Sequence, residues 1–288
     1  MSQIKCLAAA AAVACCATSA SAQLVVGVDD TTVPAYLYDF TGGVSPGVTP
    51  TPINLGLQHW GLAVDDPARL LYTLNGTILT TLTYDQVLAG NGSGASSTIN
   101  VGGTSISMVG LAYGGGTLYG VRNIGGDGGA TPEAIYSIDP TTGNATVVLD
   151  FLSTDYDFGG LAFNPADGLI YATNDDGIAT GDPTDRGLYT INPTTGAINF
   201  IAAYPGTETD LDGLAVGGGY AFLIGDGPAG DDIYAYNLTT NQYEFTIPSP
   251  FIAGEVFSGG TWAPGLIPEP TSLALVGLGG LAMLRRRR

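Results

Sequence analysis

Short runs in which apolar and polar residues alternate fill most of the chain, the period of half-buried strands, and turn-forming Gly, Asp, Asn and Pro separate them. One phrase recurs. "WGLAVDDPARLLYTLNG" starts at Trp60, "VGLAYGGGTLYGVRN" at Val109, "GGLAFNPADGLIYATND" at Gly159 and "DGLAVGGGYAFLIGD" at Asp212, with a shortened "SGGTWAPGL" at Ser258. Aligned on Leu62, Leu111, Leu161, Leu214 and Thr261, the spacings are 49, 50, 53 and 47. The clearest unit predicts four strands: "GLAF", then "LIYATN" after the turn "NPADG", then "GLYTIN" after a Gly/Asp-rich loop, then "AINFIAAY". The "DPTTG" and "NPTTG" stretches are hairpin turns.

A period of this length holding four short strands describes a β-propeller blade. Glycine and alanine in "GLA" suit an innermost strand crowded against the propeller axis. The last copy has only a first strand, while "LVVGVDD" and "AYLYDF" near the N-terminus look like second and third strands. Joining the two termini completes one blade, a velcro closure. Leu24 to Ile267 spans 244 residues, which predicts an all-β fold of five four-stranded blades. The stretch Thr77 to Val101 fits the repeat worst and has room for an irregular insertion.

The two ends break the pattern. Thr271 to Leu284 is an uncharged apolar run of 14 residues, followed directly by Arg285, Arg286, Arg287 and Arg288. As a helix it would cover ~21 Å, short of the ~30 Å hydrocarbon core, but arginines at one end can snorkel to phospholipid head groups. Pro268, Glu269 and Pro270 stand just before it. These three parts, in order, resemble the PEP-CTERM sorting tail of Gram-negative envelope proteins. The resemblance implies transient inner-membrane anchoring by a C-terminal transmembrane sorting helix. It also implies a processing partner, exosortase, a membrane transpeptidase-like enzyme that recognises the motif and removes the tail. At the other end Lys5, the run "CLAAAAAVACCA" and the small residues of "SASA" read as a signal peptide, with cleavage between Ala22 and Gln23. A lipoprotein signal ending at Cys15 or Cys16 is the rival, though Ala12 stands where a leucine-like residue is usual. The expected organisation is a signal peptide at 1–22, a propeller at 23–267 and a sorting signal at 268–288.

Trimming the ends changes the chemistry of what remains. The body keeps three arginines (Arg69, Arg122, Arg186) against 25 carboxylates, a formal charge of −22 compared with −18 for the whole chain. Such a body repels nucleic acid and anionic lipid and attracts cations. All three cysteines and the one lysine are lost, which excludes disulfides, thiol nucleophiles and Schiff-base chemistry. His59 alone remains as an imidazole. The Gly-x-Gly pairs do not open helices.

Candidate chemistry gathers on the face opposite the hairpin turns. "DYDFGG" and "DLDGL" precede two inner strands, so Asp155 with Asp157, and Asp210 with Asp212, form two carboxylate pairs at the channel rim. Carboxylates beside Gly-rich loops suit a hard cation, with calcium the candidate cofactor and Asp175 and Asp176 as weaker ligands. The plainer reading is that these aspartates cap turns and solvate loops. The function expected is that of an exported, non-catalytic binding or structural module. It would sit at the cell surface, outer envelope or extracellular matrix, with an extracellular polysaccharide or another envelope protein as partner. The alternative is a carboxylate-dependent, glycoside hydrolase-like enzyme on a five-bladed propeller.

Overall fold

The computed structural model describes residues 23–41, 43–122, 134–151, 156–175, 186–225, 232–250 and 258–267. The expected signal peptide at 1–22, the sorting tail from Pro268, Asp155 and Asp176 lie outside the described residues.

Five four-stranded antiparallel sheets form the blades, as the repeat predicts. Blade 1 runs from the axis outward through Gly61–Asp65, Leu70–Asn75, Ile78–Thr83 and Ala95–Thr98. Blade 2 is Gly110–Gly114, Thr117–Arg122, Ala134–Ile138 and Ala145–Asp150. Blade 3 is Phe158–Asn164, Leu169–Asn174, Gly187–Ile191 and Ile198–Ala203. Blade 4 is Gly213–Gly217, Tyr220–Ile224, Asp232–Asn237 and Gln242–Pro248. Blade 5 is built from both termini: Ser258–Trp262 is innermost, then Gln23–Val28, Ala35–Asp39 and Thr51–Ile53.

Both faces of each blade are apolar, because each blade packs against two neighbours. Five clusters of buried side chains fill the five interfaces, one between each adjacent pair. The clusters flanking blade 5 contain Val25 and Leu37 toward blade 1 and Leu24, Val26 and Tyr38 toward blade 4. At the axis the inner strands approach until their backbones touch. A Cβ on Gly160 would fall 2.5 Å from the Asp212 carbonyl oxygen, and one on Gly61 would fall 2.9 Å from the Leu111 nitrogen. Glycine in the recurring phrase is thus required by close backbone approach.

Two features depart from the simple repeat. The poorly fitting stretch contains the helix Tyr84–Leu88, inserted between the third and outer strands of blade 1. Thr83 and Gln86 form a capping box, and the helix buries Tyr84 and Val87 against blade 5. A two-residue hairpin, Asn100–Val101 with Thr104–Ser105, follows. The closing repeat is also one residue out of the alignment on Thr261. Trp262 lies against Gly217 as Phe163 lies against Gly114, so Gly259 and Gly260 take the places of Gly61 and Leu62.

Ring closure makes the N-terminal strand the point of greatest sensitivity. All six residues of Gln23–Val28 are buried, and the strand pairs with Ser258–Trp262 on one side and Ala35–Asp39 on the other. Val26→Ala should lower stability by about 2 kcal/mol. Val147→Ala, at a site 40% exposed, should stay within about 0.5 kcal/mol. Urea midpoints report both. Deleting Leu24 to Phe40 should leave strand edges bare and the protein insoluble. A soluble deletion that unfolds cooperatively would overturn the closure.

Candidate functional site

The axial passage differs at its two ends. On the face carrying the loops into the inner strands it pinches to a neck between Gly61, Gly110, Gly160, Asp212 and Gly259, with no room for a water. On the hairpin face it opens into a cavity of about 740 Å³.

Beside the neck the structure brings Asp175, Asp210 and Asp212 together, with one carboxylate oxygen from each within 4.8 Å of the others. Asp212 is buried, Asp175 half-buried and Asp210 exposed. Asp175 directly follows the second strand of blade 3, whereas the other two lead into blade 4. Its Oδ1 accepts hydrogen bonds from the Tyr204 hydroxyl at 2.8 Å and the Leu211 backbone N–H at 3.1 Å. Burial pushes the Asp175 carboxyl up to about 6, against the bonds from Asp212, Leu211 and Tyr204, which lower it. Burial also raises Asp210, opposed by the charge of Arg186 and reinforced by that of Glu208.

Asp157 stands outside this trio: its N–H donates to Asn174 Oδ1 at 2.7 Å, and its carbonyl accepts from the Asp175 N–H at 3.2 Å. It joins the trio through the backbone. His59 is buried. Its Nδ1 lies 2.7 Å from Thr73 Oγ1, and its backbone N–H donates to the Val28 carbonyl at 2.9 Å, across to blade 5. Burial pushes the imidazole down to about 4. Gln23 is part of the core closure: its carbonyl accepts from Ala263 N–H at 2.8 Å and its Oε1 from Ile267 N–H at 3.3 Å.

The cavity on the hairpin face was not singled out by the sequence pattern. Its wall includes Tyr113, Phe163 and Trp262, all from the same position of the inner strand in three repeats. Phe163 and Trp262 rest on Gly114 and Gly217 of the preceding blades, where any Cβ would strike the ring. Trp262 also stacks on Phe222 at 5.6 Å and Phe40 at 5.9 Å. Two carboxylates complete the wall. Asp66 Oδ1 accepts from the Tyr84 hydroxyl at 2.9 Å and the Gly265 N–H at 2.8 Å. Asp65 accepts from the Ala68 N–H at 3.2 Å and from the Tyr113 phenol, whose pKa it pushes up to about 12. An aromatic recurring at the same place of the inner strand in three repeats, Tyr113, Phe163 and Trp262, is the signal that could have found this wall.

Residues 266–288 match the PEP-CTERM protein-sorting motif. The motif marks the chain as exported and sorted, with transient membrane anchoring, and it is consistent with exosortase processing. Among the described residues no helix is long and apolar enough to cross a membrane, and the apolar run of the tail lies outside them. No curated protein sequence matches this one. The fold is similar to a chain of a nidogen/laminin complex, at 12% identity and a TM-score of 0.52, over 85% of this chain and 99% of that one. A chain of a mitotic checkpoint complex overlaps 78% of this chain and 62% of its own at 11% identity, with a TM-score of only 0.39.

The two perturbed groups near the loop face act on stability with opposite sign. For His59 the folded pKa of about 4 lies below the ordinary 6.5. Its contribution is therefore complete above pH 6.5 and is lost as pH falls through 4. For Asp175 the folded value of about 6 lies above the ordinary 3.8. Its contribution is complete below pH 3.8 and is lost as pH rises through 6. His59→Gln should remove an acid-side loss of up to about 3 kcal/mol. Asp175→Asn should remove a smaller loss on the alkaline side, because that carboxyl is partly screened. Urea midpoints between pH 4 and 7 read both, and parallel profiles for the wild type and variants would overturn the assignment.

Proposed function

We propose that the protein is an exported propeller acting as a non-catalytic binding or structural module at the cell surface, outer envelope or extracellular matrix. Residues 1–22 are its signal peptide, cleaved after Ala22, and residues 268–288 are removed by an exosortase-type enzyme after transient anchoring. An extracellular polysaccharide or another envelope protein is the partner. The observation that carries this reading is the cavity on the hairpin face, of a size ordinary for a ligand site. Its two carboxylates are held in place by donors from the turn, the helix and the neighbouring inner strand.

The glycoside hydrolase alternative draws less support from the loop face. Glycosidase carboxyls stand ~5–9.5 Å apart across the scissile bond, whereas Asp175, Asp210 and Asp212 offer oxygens within 4.8 Å of one another. That spacing suits oxygens around one hard cation, since ligands at ~2.4 Å from calcium lie no more than ~5 Å apart. Calcium at Asp210 and Asp212, with Asp175 as third ligand, is the second reading. Asp157 contributes by holding the Asp175 backbone.

Three measurements test these readings. A screen of the purified exported protein against polysaccharides should give binding without turnover. Hydrolysis lost in Asp212→Asn would overturn the non-catalytic role. Deleting residues 268–288 should change the fraction in which the protein accumulates, and identical fractionation would refute tail-directed sorting. In excess monovalent salt, calcium at ~100 times its dissociation constant should add ~2.7 kcal/mol, and Asp175→Asn with Asp212→Asn should abolish that gain. Equal shifts with calcium, magnesium and sodium chloride at matched ionic strength would refute the metal.

A further inference from the structure

We infer that the cavity on the hairpin face takes a small amphipathic cation, an organic ammonium joined to an apolar body. This deepens the proposed binding role and rests on it. The cavity holds about 740 Å³ between inner-strand side chains that are mostly apolar, with Tyr113, Phe163 and Trp262 among them. Such a wall selects an apolar body of drug-like size.

Charge then selects the other half of the ligand. Among the described residues lining the cavity the charged side chains are Asp65 and Asp66, neighbours on one wall, and no basic side chain joins them. Arg69 stands outside the lining, donating to the Gly265 carbonyl at 2.9 Å and lying 3.7 Å from Asp85. Donors hold both carboxylates in place: Ala68 N–H and the Tyr113 phenol for Asp65, Tyr84 and Gly265 for Asp66. The carboxylates are therefore pre-organised, and a bound cation need not order them. An anion would meet repulsion from these groups and from a body of formal charge −22. An ammonium placed at Asp65 lies beside Tyr113, where the phenol ring adds cation–π attraction.

The test uses three probes of one shape, phenethylamine, 2-phenylethanol and phenylacetate, titrated into the purified exported protein at fixed ionic strength. The amine should bind at least about tenfold more tightly than the alcohol, and the acid should not bind. Asp65→Asn should weaken the amine about tenfold, while Asp139→Asn, the same charge change on an exposed turn, should alter it less than about twofold. Ala68→Trp, at an exposed rim position, should block every probe, with melting curves confirming that each variant is folded. Alcohol binding as tight as amine binding, lost in Ala68→Trp, would overturn the cation assignment and leave the binding role standing. Binding that survives Ala68→Trp, or no binding by any probe, would remove the cavity as the site. Turnover of a bound compound would instead strike the non-catalytic role, whichever charge is preferred.

Discussion

Everything in this propeller depends on one strand finding its place between the two ends of the chain. A blade of this kind has two apolar faces and cannot bury both alone, so the four consecutive blades leave two open faces until the fifth is inserted. Gln23–Val28 supplies that closure, with Leu24 and Val26 directed toward blade 4 and Val25 toward blade 1. The alternation of a single strand thus serves two interfaces. Because Leu24 pairs with Trp262 and Val28 with Ser258, the closing register also fixes the inner strand that lines the cavity. Stability and the shape of the candidate site are set by the same hydrogen-bonded ladder.

The repeat was legible because close approach at the axis demands glycine at one position per blade, and hydrophobic alternation marks the strands that follow. Where that demand is met twice in a row the reading slips: Gly259 and Gly260 both satisfy it, and the alignment settled one residue late on Thr261. The helix Tyr84–Leu88 was visible only as a poor fit, since five residues are too few to show a period. Asp210 and Asp212 could be paired by alternation along one segment. Their third neighbour, Asp175, comes from the preceding blade, and no local pattern measures the distance across two blades. The same limit hid the cavity, whose wall is drawn from all five repeats and exists only once the ring is closed.

The positive charge of the body is spent inside the ring. Arg69 donates to the Gly265 carbonyl and lies over the Tyr84 ring at 5.0 Å, helping to fasten the chain after the last inner strand. Arg122 is buried and donates to the Ser107 carbonyl at 3.1 Å. Arg186 lowers the Asp210 carboxyl beside the neck. Each arginine therefore answers a local need of the fold. The carboxylates that remain make the body strongly negative, whereas the last four residues of the chain are all arginine. Removal of residues 268–288, as proposed, would take away four of the seven arginines and so sharpen the preference of the body for cations.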